Sequence, residues 1–160
     1  MNTKFITKAS AIAAIYVILV LLEIPLGTLA FGNIQIRIAE GLTLLPLIES
    51  AAIPGVFVGC IISNIILASV SGLGAIDIIG GSLVTLIAAY ITSKMPNKVL
   101  GSLPPIILNG LIVSIWVSYF LNIPYLITSI SIGIGELIAV SVFGNVAIYV
   151  YNKVMKNANR

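Results

Sequence analysis

The 160-residue chain has no histidine, a single cysteine and only 8% charged residues. The missing histidine removes most zinc sites and the nucleophilic triads that rely on an imidazole base. Cys60 stands alone, so no intrachain disulfide can form. The shortage of charge excludes more. A soluble domain carries about 25% charged residues to keep its surface wet. Here 59% of residues are hydrophobic and the mean hydropathy is +1.19. There is too little charge to cover a globule, so lipid must solvate most of the surface. The chain reads as a single integral membrane domain, all-α, with no room for a large soluble appendage. No Walker sequence, metal-ligand cluster, cofactor motif or nucleophile with a plausible base is present, so an enzyme is not indicated. Any ATP hydrolysis must come from another chain. The net charge of +3 is no nucleic-acid signal, because the basic residues sit at the chain ends and in one short loop.

What is present is a series of apolar runs. A spanning helix needs about 20 mostly apolar residues. Runs between breakers predict six spans, at about 8–29, 38–52, 54–70, 77–94, 101–121 and 126–152. The second is short, and is expected to be tilted or only partly embedded. The first has the basic start of a signal peptide, but its apolar run is too long for one and lacks a small-x-small cleavage site, so a retained helix is expected. Cytoplasmic loops collect Lys and Arg. With six spans, Lys4, Lys8, Lys94, Lys98, Lys153, Lys156 and Arg160 all fall on one side, which puts both termini in the cytoplasm. Arg37 alone falls on the other side.

Ionisable groups within a bilayer are expensive and usually face protein or water. Asp77 begins the fourth span, where the helix dipole favours an acid. Glu23 lies near the outer end of the first span, within reach of headgroups. Glu49, at the cytoplasmic end of the second, suits a partner contact or the interface. Arg37 and Glu40 stand one turn apart, and both an intrahelical ion pair and a ligand role remain open. Glu136, in "SISIGIGELIAV", is mid-span with no basic residue in the same helix. The small residues Ser129, Ser131, Gly133 and Gly135 ahead of it suit close helix packing, but packing does not explain a buried carboxylate. Asn109 and Trp116 share a face of the fifth span, and Asn64 is mid-span in the third. Carboxylate, carboxamide and aromatic groups on several helices suit a small polar planar ligand.

The segments "FGNIQIRIAEGLTLLPLIES", "AIPGVFVGCIISNII", "DIIGGSLVTLIAAYIT", "LPPIILNGLIV" and "SIGIGELI" together resemble the queuosine-precursor S-components (the QueT family) of energy-coupling factor transporters. The resemblance covers nearly the whole chain. It implies a six-transmembrane-helix bundle of the S-component type, with no cofactor, that captures a 7-deazaguanine-type molecule from outside. It also implies docking on a T-component and two ATPase subunits. Ala9 and Ala13, at four-residue spacing with Ser10 and Ala14 beside them, would form the docking face; packing within the bundle is the alternative. "GNIQIR" would be a lid carrying Arg37. Glu136 or Glu40 would take the ligand's donor edge, Gln35, Asn109 or Arg37 its carbonyl, and Trp116 or Phe31 its ring face. A proton-coupled secondary transporter, an S-component for another vitamin-like ligand and a non-transporting membrane interaction protein are the alternatives.

Overall fold

The computed structural model describes residues 2–26, 37–71 and 73–158. Among them the chain forms six helices and no strand. They are α1 (Thr3–Glu23), α2 (Ile38–Leu47), α3 (Ala52–Ser71), α4 (Gly74–Thr92), α5 (Lys98–Leu121) and α6 (Tyr125–Asn157). The helix count matches the expectation. Helices α1, α4, α5 and α6 are long and apolar enough to cross a membrane.

Local chemistry sets the ends. The side chain of Asn2 accepts the Lys4 N–H and starts α1 ahead of its apolar run. Asn97 does the same for α5 by accepting the Leu100 N–H. Asn122 takes the left-handed conformation (φ 53°) that closes α5. Pro104 and Pro105 lie within α5. Pro105 has no N–H for the carbonyl of Gly101 one turn back, and the Thr92 hydroxyl donates to that carbonyl instead, at 2.9 Å. This joins the end of α4 to the start of α5.

The unusual element is α2. It is wound as a 3-10 helix of ten residues. At about 2.0 Å per residue it extends roughly 20 Å, too short for a bilayer core of about 30 Å. Every residue from Ala39 to Pro46 is buried, and α2 touches all five other helices. It is therefore the axis of the bundle. The helices run up and down around it. One end gathers Lys8, Glu49 and Tyr151, where Lys8 donates to Glu49 at 2.5 Å and the Tyr151 hydroxyl donates to the same carboxylate. The other end carries Glu23, Arg37 and Asp77. Glu49 thus has partners within the chain.

Such close approach requires bare backbone. A Cβ added to Gly41 of α2 would stand 2.8 Å from Phe143 Cβ and 2.9 Å from Gly144 N of α6. Added to Gly133 it would meet nothing within 4 Å. Gly41→Ala should accordingly destabilise the protein by about 1–3 kcal/mol, as overpacking does. Gly133→Ala should remain within about 0.5 kcal/mol of the parent. Denaturant unfolding in mild detergent measures both, and equal stability of the two variants would contradict the α2–α6 crossing.

Candidate functional site

In the half of the bundle away from the lysine-bearing end, side chains from all six helices converge. From α2, Glu40 is 2% exposed and its Oε1 accepts the hydroxyl of Tyr16 from α1 at 2.5 Å. Glu23, also on α1, accepts the N–H of Ile38 and so caps α2. The expectation that Glu23 reaches headgroups fails for this reason: the exposed N–H groups that begin α2 need an acceptor, and Glu23 is buried to supply one.

Arg37, just before α2, reaches Asp77 of α4, with 3.7 Å between Nη2 and Oδ2. An ion pair within the turn between Arg37 and Glu40 is therefore not formed; the cation turns across the bundle. Asp77 is more than a dipole-favoured first-turn residue. It is buried, its Oδ1 accepts the Trp116 indole N–H at 3.1 Å, and its backbone carbonyl accepts Asn64 Nδ2 at 2.8 Å. Room for this network comes from the adjacent glycines. A Cβ on Gly81 would stand 3.0 Å from Asp77 Oδ1, and one on Gly80 would stand 3.4 Å from the Trp116 ring. Trp116 is thus buried against α4 and hydrogen-bonded there, where a membrane-interface anchor would lie open.

Three of the helices widen at this level. Asp77–Gly81 in α4, Asn109–Val113 in α5 and Ala139–Phe143 in α6 are π-helical turns. Such turns rotate the side chains that follow and are common at functional sites. Asp77 and Asn109 open two of them, and Glu136 lies one turn ahead of the third. Glu136, 5% exposed, lies beside Asn109 across the α5–α6 contact, within range of both Glu40 and Arg37. Helix packing operates beside it too: a Cβ on Gly110 would come within 3.3 Å of Gly133 Cα.

Buried polar atoms are nearly always hydrogen-bonded. Here several are not. Glu23 Oε2, Glu40 Oε2, Glu136 Oε2, Asn109 Nδ2, Arg37 Nε and the Ser63 and Ser82 hydroxyls are buried without a hydrogen-bond partner. Three acceptors, two donors and two hydroxyls without a satisfied hydrogen bond are what a polar small molecule would complete. The family described as QueT transporter matches residues 6–153 of the chain. The chain belongs to that family. No curated protein and no solved structure matches it. Membership identifies a membrane transport protein rather than an enzyme.

Of the residues singled out in the sequence of this QueT transporter, Arg37, Glu40, Asn109, Trp116 and Glu136 are brought together; Phe31 and Gln35 lie outside the described residues. Ala9 and Ala13 are elsewhere, at the α1–α3 crossing. The carbonyl of Ala9 would stand 2.9 Å from a Cβ on Gly55 and that of Ala13 3.1 Å from one on Gly59. Ser10 and Ala14 beside them are exposed. The sequence reading missed Tyr16, Glu23 and Asp77 as parts of the cluster. The adjacent Gly80 and Gly81 after Asp77 were the available signal, since paired glycines inside a helix mark close approach.

The Arg37–Asp77 contact is testable by a double-mutant cycle. Arg37→Gln and Asp77→Asn should each destabilise the protein by about 3–5 kcal/mol, because each leaves a buried charge uncompensated. The double variant should lose at least about 0.5 kcal/mol less than the sum. Strict additivity in denaturant unfolding would show that the two charges are only neighbours.

Proposed function

We propose that this QueT transporter is the substrate-capturing S-component of an energy-coupling factor importer, and that it binds a 7-deazaguanine-type queuosine precursor for ATP-driven uptake. The observation that carries the reading is the set of unpartnered buried groups, Glu136 Oε2, Glu40 Oε2 and Asn109 Nδ2, drawn from three helices. A 7-deazaguanine offers adjacent N–H and amino donors, a carbonyl acceptor and a flat ring. Glu136 and Glu40 supply acceptors, Asn109 and Arg37 supply donors, and Trp116 lies beside Asp77 in the same cluster. Phe31 and Gln35 would complete the site from the segment ahead of Arg37.

In this reading the site end faces outward and the lysine-bearing end lies in the cytoplasm of the cell membrane, following the distribution of positive charge. The partners are a T-component and two ATPase subunits, because the chain has no nucleotide motif of its own. The docking face is the small-residue stretch of α1 around Ala9 and Ala13. Ala13 is buried against α3, so the stretch would meet a partner through Ser10 and Ala14, with Ala9 at its edge.

Glu136→Gln preserves shape and removes charge. A hydrogen bond to a charged group contributes about 1.5–3 kcal/mol, so affinity for a 7-deazaguanine should fall about tenfold or more. Glu49→Gln, at the opposite end, should bind as the parent does. Calorimetric titration of purified protein checks both, and unchanged affinity in Glu136→Gln would remove that residue from the site.

Transport separates this mechanism from proton coupling. Uptake should require the T-component and ATP hydrolysis by the ATPase subunits. Ser10→Leu with Ala14→Leu should abolish uptake while leaving binding intact. Accumulation by the chain alone in proteoliposomes, driven by a proton gradient, would replace the S-component reading with a secondary transporter.

A further inference from the structure

Away from the polar cluster, α1 and α6 stand apart over α2. The first packs on α2 and α3, the second on α2 and α5. An open groove of about 430 Å³ lies between them. Leu42 and Leu45 of α2, 6% and 3% exposed, close its floor. Ile15 of α1 and Val150 and Val154 of α6 are half-exposed on its rims. Among the described residues, only Lys8 and Tyr151 bring polar groups to its lining. The face of α1 that lines it is turned away from Ser10 and Ala14.

The length of the groove narrows what can fill it. Its lining runs from Lys8 to Leu19 on α1, and on α6 from Met155 back to Phe143, near the middle of that helix. At about 1.5 Å per residue both stretches are roughly 16–18 Å long. One leaflet of a bilayer core about 30 Å thick is about 15 Å deep. A spanning helix from a partner would continue across the other leaflet, where among the described residues the groove does not follow. A hydrocarbon chain of one leaflet ends at that depth. In the groove it touches two walls and a floor, whereas a convex helix face touches it from one side.

Charge at the mouth narrows the choice further. Lys4 lies one turn before Lys8 on α1, and Lys153 and Lys156 adjoin Val154 and Met155 on α6. Lys4, Lys153 and Lys156 are exposed. Among the described residues Glu49 is the one acid at this end, and Lys8 and Tyr151 already occupy it. The mouth therefore carries positive charge beyond what Glu49 neutralises. Basic residues at the end of a membrane helix attract anionic headgroups. We propose that the groove holds one chain of an anionic phospholipid from the leaflet at the lysine-bearing end, with its headgroup at Lys4, Lys153 and Lys156. The chain covers the strip of α2 that α1 and α6 leave open.

The test is native mass spectrometry of the full-length protein in detergent, titrated with phosphatidylglycerol and with phosphatidylcholine of the same chains. The parent should hold one phosphatidylglycerol about tenfold or more tightly than phosphatidylcholine. Lys4→Gln with Lys153→Gln should lower phosphatidylglycerol affinity about tenfold and leave phosphatidylcholine within about threefold. Ala11→Phe and Ala147→Phe, which fill the groove, should weaken both lipids about tenfold. Glycerol phosphate, a headgroup without a chain, should not displace the bound lipid. Stepwise binding of several lipids with equal affinity for the two headgroups would show annular lipid only and overturn the proposal. That comparison needs no variant, so it decides the matter even where a phenylalanine variant does not fold. Unchanged lipid affinity in both phenylalanine variants would also overturn it, and loss of uptake in those same variants would assign the groove to a partner helix.

Discussion

The enclosure of α2 by the five other helices is the constraint on which the rest of the structure depends. A ten-residue 3-10 helix is too short to cross a bilayer and its hydrogen-bond geometry is poorer than that of an α-helix. It is stable here because no side of it meets lipid or water over most of its length. Its first N–H groups lie inside the bundle, so a side chain must accept from them, and Glu23 does. Its close contact with α6 requires Gly41 against Gly144. Burying α2 also carries Glu40 to the centre of the protein, where Tyr16 is its hydrogen-bond partner.

Around that axis, backbone irregularity coincides with polar chemistry. Each of α4, α5 and α6 contains one π-helical turn, at or next to Asp77, Asn109 and Glu136. Regular helices would pack their apolar faces more uniformly. Of the buried polar atoms without partners, Asn109 Nδ2 lies in such a turn, and Ser82 and Glu136 flank the other two. Departures from local regularity and hydrogen-bond satisfaction that coincide in this way are expected where function outweighs stability. The opposite end of the bundle is built conventionally: Glu49 is satisfied by Lys8, Tyr151 and the Ala51 N–H.

Individual residues show how far one-dimensional reasoning reaches. Glu136 was legible because an acid far from either helix end, with no base in its own span, has no local explanation. Arg37 was legible as an exception to the charge pattern, but its partner was not. Spacing offers Glu40, one turn away, whereas the bundle offers Asp77, forty residues on and on another helix. Asp77 itself was hidden by a sufficient local explanation, the helix dipole. Glu23 was hidden by its place near a span end, where solvent exposure is the ordinary expectation.

Composition and periodicity alone determined the class: a membrane protein of six helices with basic residues at one end, and an outlying acid in the last helix. These follow from quantities summed along the chain, such as charge fraction, run length and breaker positions, which do not depend on how helices meet. The tertiary structure decided that α2 is central, which acid pairs with Arg37, and that Glu40 and Glu136 are both left with a free oxygen. Those outcomes depend on which helix faces are opposed and where π turns rotate them, and contacts between distant segments are set by packing rather than by spacing.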